Sequence, residues 1–154
     1  SGMDLQVVLQ GEVLSCSTSL SKAPEGMRRA LTEGSEISVQ WTLRVEVGRK
    51  YWLNKTVAEV EVNRNVVPDL VSRSWTLIDR TNGISRRVFS LDEALIFLTA
   101  LHDFPIVDGS LLSPGQTYRV MAGLSEREGE GKGDGWMTWF GSNNAMAATD
   151  FVMP

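Results

Sequence analysis

The chain has 154 residues, 42% hydrophobic and 22% charged, which places it among globular proteins and apart from disordered and membrane-spanning chains. At this length one domain is the prior, and folding hides about two thirds of the unfolded surface, so the core needs no metal or disulfide to hold it. A net charge of -4, with basic residues scattered as pairs such as Arg28-Arg29 and Arg86-Arg87, excludes a general binder of nucleic-acid backbones.

Ser1-Gly2 reads as an expression-tag scar and Met3 as a native start or a cloning remnant. Residues 1–3 are therefore set apart and 4–154 are read as a single domain. Residues 5–19 read as a strand whose apolar parity changes near Gly11. Residues 24–32 carry a proline suited to a first helical turn, then Met27, Ala30 and Leu31 at helical spacing, with Gly34 placed to cap the end. That predicts a short helix.

The clearest signal is EISVQWTLRVEV, in which Ile37, Val39, Trp41, Leu43, Val45 and Val47 alternate with polar residues. It predicts a long strand with one dry face and one wet face. A second run covers residues 51–63, and its parity changes between Val57 and Ala58, predicting a bulge or a bend where the strand changes sheet. Asn82-Gly83 lies between WTLI and ISRRVF and predicts a tight hairpin. In FSLDEALIFLTALHDFP, Ser90 and Glu93 form a capping box, and Leu91, Ala94, Leu95, Leu98 and Leu101 recur at helical spacing until Pro105. The turn Ser113-Pro114-Gly115 introduces a strand over 117–124, residues 125–135 read as an exposed charged loop, and WMTWF and TDFVM read as two short C-terminal strands. Mostly antiparallel strands with two short helices predict an all-β fold, an antiparallel β-sandwich of the immunoglobulin-like type.

Candidate chemistry is sparse. His102, the only histidine, falls in the last turn of the expected helix, where it would meet free carbonyls and the negative end of the dipole. Cys16 is in step with Leu14 and Leu20 and reads as a buried thiol; alone it cannot form an internal disulfide, and one Cys with one His makes no zinc set. Glu126, Glu128, Glu130 and Asp134 are in the wrong order for a calcium hand. Glu59 and Glu61 share a strand face and read as its wet side, and Asn54-Lys55-Thr56 is a chance glycosylation triplet. No catalytic residue, cofactor or metal site is expected.

The excess is tryptophan, five in all. Trp41 and Trp75 fall in phase with the core. Trp52, Trp136 and Trp139 are not assigned by phase; Trp136 and Trp139 differ by three and would face opposite sides of a strand, and with packing as the ordinary alternative these three are the candidate ligand- or partner-binding residues, because exposed aromatics on a sandwich suit sugar or protein faces.

The order of features resembles a known family. MRRALTEG, ISVQWTLRVEVGRKYW, the hairpin before FSLDEAL, and LSPGQTYRV are together similar to the bacterial domain-of-unknown-function family 4390, over residues 5–140. The resemblance implies a proteobacterial protein whose precursor carries an N-terminal hydrophobic export segment, often encoded beside a nitrogen-regulation-type sensor kinase. It carries no activity, cofactor or catalytic residue. The ending SNNAMAATDFVMP departs from the Trp-Tyr-rich pattern of the family.

The expectation is a non-enzymatic periplasmic or envelope-anchored module that binds another protein, linked to a membrane sensor kinase, with no nucleic-acid partner and a soluble mature domain. The alternative is a glycan- or lipid-binding sandwich using exposed tryptophan. A sandwich also leaves sheet edges that can add a strand from a partner or a second copy, and the sequence does not show which edge is open.

Overall fold

The computed structural model describes residues 2–49, 52–128 and 146–154, and excludes the side chains of Arg49, Trp52 and Glu128. Among the described residues the strands are β1 (Met3–Gln10), β2 (Val13–Leu20), β3 (Ile37–Arg49), β4 (Trp52–Asp69), β5 (Ser74–Asp79), β6 (Ile84–Val88), β7 (Ala100–Asp108), β8 (Thr117–Glu128) and β9 (Met146–Val152). Two helices join them, α1 (Glu25–Glu33) and α2 (Leu91–Thr99). The strands pair antiparallel in two sheets, β1-β2-β7 and β6-β5-β4-β3-β8-β9. The result is an open, sandwich-like fold, in which the smaller sheet and both helices cover one face of the larger sheet.

β3 is the spine. Ile37, Val39, Trp41, Leu43 and Val45 are all fully buried and pack with Val62, Val66, Val120 and Leu124 from the flanking strands. The parity change in β4 is a bulge: Val45 faces Ala58 and Glu46 faces Thr56, which leaves Val57 as the extra residue. The strand does not change sheet there. It continues to Asp69, and Pro68 lies beyond the last residue of β3 that β4 meets, where its missing N–H costs no ladder bond.

Several expectations are corrected. Residues 5–19 are not one strand but the hairpin of β1 and β2, turned at Gly11 with φ +62°. The Asn-Gly hairpin is present with a four-residue loop, residues 80–83, in which only Gly83 takes positive φ. Ser125 to Glu128 belong to β8 rather than to a loop, and Ser125 is buried; the remainder of that loop and the WMTWF strand lie outside the described residues. TDFVM does pair, as part of β9 against β8.

The largest correction concerns α2. Ser90 Oγ accepts the Glu93 N–H as expected, but the helix ends at Thr99 and residues 100–108 form β7 against β2. Leu101 is in helical phase with Leu98, yet its burial comes from the sheet. Pro105 disfavours helix at Phe104, and Ile106 and Val107 suit a strand. His102 is consequently three residues past the helix and exposed.

The free carbonyls at the end of α2 are met from the large sheet instead. Arg64 Nη1 donates to Phe97 O at 3.0 Å and Ala100 O at 3.1 Å, and the buried Trp41 Nε1–H donates to Leu98 O at 3.2 Å. Arg64 also lies 3.7 Å from Asp79 Oδ2 and stacks on Phe97, with its Cζ 4.6 Å from the ring centre. Burial lowers the pKa of Arg64, and the Asp79 carboxylate opposes that shift. Trp75 does for α1 what Trp41 does for α2, donating to Leu31 O at 3.1 Å. The two tryptophans in phase with the core thus pin both helix C-termini to the sheet.

Candidate functional site

The sequence candidates divide unevenly. Trp136 and Trp139 lie outside the described residues, as does the side chain of Trp52. Cys16 is fully buried, and burial pushes its thiol up to about 12, so it is inert in the folded state. His102 sits on a bulge where Ser17 faces both His102 and Asp103, with Asp103 at φ +47°. Its Nε2 lies 3.0 Å from Asp103 Oδ2, and Ser17 Oγ donates to the same carboxylate at 3.4 Å. The carboxylate stands between hydroxyl and imidazole, the reverse of the order in which a serine nucleophile is activated.

The wet face of the large sheet carries Glu59 and Glu61, as expected. Glu59 accepts from Arg44 at 2.9 Å and Glu61 from Gln40 at 3.1 Å. Beside them is a basin of about 430 Å³ lined by Glu36, Ser38, Asn63, Asn65, Arg80 and Arg127. Asn65 is its hub: Nδ2 donates to Glu36 Oε2 and Ser38 Oγ, both at 2.6 Å, and Oδ1 accepts from Arg80 Nε at 2.7 Å. A second groove of about 350 Å³ lies over Gly123 between Arg44, Glu59, Met121 and Met146. Among the described residues no cluster of three His, Cys, Asp or Glu could hold a metal ion, and no helix is long and apolar enough to cross a membrane.

The sheet edges differ in what they offer. β1 and β9 run beside one another without pairing, and a methyl group placed on Gly109 would stand 3.2 Å from Leu9 Cδ1 and 3.4 Å from Met153 Cε. β7 is broken by two register shifts, by Asp103 in the left-handed region and by Pro105. β6 ends the larger sheet on the side away from β9, and its register with β5 is unbroken from Trp75–Val88 to Asp79–Ile84. Its outward N–H and C=O groups form a template for another strand.

The local sequence builds that edge firmly. Asp79 Oδ1 accepts the Thr81 N–H at 3.0 Å, Gly83 N donates to Asp79 O at 2.8 Å, and the loop is clipped to β4 by Arg80 N to Asn63 O at 2.8 Å. Ile84 at its start is 61% exposed and Phe89, just past its end, 70%; Ile96, on the α2 helix that follows, is 62% exposed. Arg86 Nη1 reaches Glu93 Oε2 at 3.7 Å between β6 and α2. Asp69 has its carboxyl held below the usual range chiefly by the Ser72 backbone N–H, with Arg87 a lesser contributor from β6.

Two features of the sequence point to this edge. ISRRV is short, begins with Ile84 and is followed by Phe89, but that it ends a sheet depends on the order of strands distant in sequence.

A family model described as "Domain of unknown function (DUF4390)" matches residues 2–125. Neither a curated protein nor a solved structure matches the chain.

Proposed function

The chain belongs to the DUF4390 family of domains of unknown function, and from that premise and the sheet edge we propose that it is a non-enzymatic module that binds another protein by strand addition at β6. The observation that carries the reading is the unbroken register of β6 at the end of the sheet, bordered by exposed Ile84, Phe89 and Ile96. The backbone groups supply affinity in such a mode, and the flanking side chains supply selectivity. The expected site of action is the cell envelope, with the extracytoplasmic part of a membrane sensor as partner. That assignment draws on the export segment and neighbouring sensor kinase implied by the family resemblance.

Site-specific photo-crosslinking in the organism that encodes the protein tests this reading. A benzophenone side chain at Ser85 or Phe89 should give one discrete protein adduct in the envelope fraction, and the same group at Ser110, away from β6, should not. Identical adducts from both places, or an adduct from Ser110 alone, would overturn it, and recovery of the protein from the cytoplasm would remove the envelope assignment.

A second reading, a small-ligand site, is supported by the groove over Gly123 with Met121 and Met146 on its walls, and the use of tryptophan there rests on the sequence alone. Trp136→Ala and Trp139→Ala discriminate: loss of glycan or lipid binding with unchanged unfolding supports this reading, and loss of stability instead assigns both residues to packing.

A further inference from the structure

We propose that the segment added to β6 belongs to a different protein and alternates acidic with apolar side chains; this rests on the strand-addition reading above. The pairing of β5 with β6 sends Ser85 and Arg87 to the outer face of the sheet, and Ile84, Arg86 and Val88 to the face that carries α2. On the helix side Ile84 and Ile96 are both more than half exposed. On the outer side Arg87 is exposed. A strand laid against this edge meets Ile84 and the Arg86–Glu93 ion pair with one face and the Arg87 guanidinium with the other. Directly opposite side chains in adjacent antiparallel strands stand about 4.5–5.5 Å apart at Cβ, close enough for an acidic residue to pair with Arg87.

A second copy of the chain fits poorly. A two-fold antiparallel pairing that overlaps the whole of β6 places Arg86 directly against Arg86 of the other copy, and an in-register parallel pairing stacks arginine on arginine. Like charges directly opposite destabilise a ladder. Charge alone could mark an edge guarded against aggregation, but a guarded edge does not also present Ile84, Phe89 and Ile96 to solvent. The partner strand therefore carries the opposite charge.

Two synthetic heptapeptides, acetylated and amidated, test this on the full chain: one alternating Val and Glu, the other Val and Lys. Amide chemical shifts locate the binding and give the affinity at low salt. The Glu peptide should perturb residues 84–88 and bind at least tenfold more tightly than the Lys peptide. Arg87→Glu, at an exposed position and checked for an unchanged unfolding midpoint, should invert that preference. Equal affinities, no binding of either peptide, perturbation centred away from β6, or self-association abolished by Ser85→Pro would each overturn the proposal. A positive crosslink at Ser85 combined with no charge preference would overturn the acidic partner and leave strand addition standing.

Discussion

Replacing Arg64 with methionine keeps the aliphatic stem and removes the guanidinium that ties β4, β5 and α2 together. The guanidinium's two bonds to Phe97 O and Ala100 O, its ion pair with Asp79 and its stacking on Phe97 are lost at once. A half-buried carbonyl left without a donor costs about 1–3 kcal/mol, and removing one partner of a buried ion pair costs about 3–5 kcal/mol. These losses overlap because one side chain supplies both. The side chains of Arg64 and Asp79 retain 16% and 13% exposure, which lets water relieve part of the penalty. The expected loss is therefore about 3 kcal/mol, a fall in Tm on the order of 10 °C for a chain of this size. Urea unfolding of the wild type, Arg64→Met, Asp79→Asn and the double variant measures it, with a coupling energy of about 1–3 kcal/mol expected between the two sites. An Arg64→Met variant within about 0.5 kcal/mol of wild type would refute the assignment of Arg64 as the tie between sheet and helix.

Trp41→Phe should cost about 1–2 kcal/mol in the same unfolding assay, because the ring stays buried while Leu98 O loses its donor. Gly34→Ala should cost about 1 kcal/mol, since Gly34 caps α1 at φ +96° and a new methyl would meet Leu70 Cδ1 at 3.0 Å. His102→Ala, at a side chain 88% exposed, should leave stability within about 0.5 kcal/mol of wild type, measured by thermal unfolding. Burial raises the Cys16 pKa from an ordinary 9.0 to about 12, so above pH 9 the unfolded chain releases a proton that the folded chain keeps. Cys16 therefore contributes full stability below pH 9 and loses it as pH rises toward 12; Cys16→Ala should flatten that part of the pH profile, and thiol labelling should track unfolding.

What the sequence revealed follows from where burial is decided. β3 was legible because both its neighbours bury the same alternating set, from Ile37 to Val45, and the bulge at Val57 was legible because it shifts that parity by one residue. The first hairpin was hidden because Gly11 and Glu12 look like a parity slip within one strand when no partner is known. Helical spacing overextends α2 because Leu101 satisfies it by coincidence, while pairing with β2 decides its conformation. Arg64 carries a signal of its own: it lies in phase with Val62 and Val66, an arginine on the core-facing side of a strand, and such a residue needs buried acceptors. The candidate site was least legible, since an edge is defined by the strand that is not beside it. Sequence pattern describes single strands, whereas the order of β6 to β9 is set by packing.

Amide hydrogen exchange of the purified protein, with and without the recombinant extracytoplasmic domain of the protein crosslinked at Ser85, tests strand addition most directly. Strand addition predicts that binding slows exchange at alternate amides of residues 84–88, while the bulged edge of β7 is unchanged. Protection that appears elsewhere on the protein, with β6 exchanging as fast as in the free chain, would contradict it.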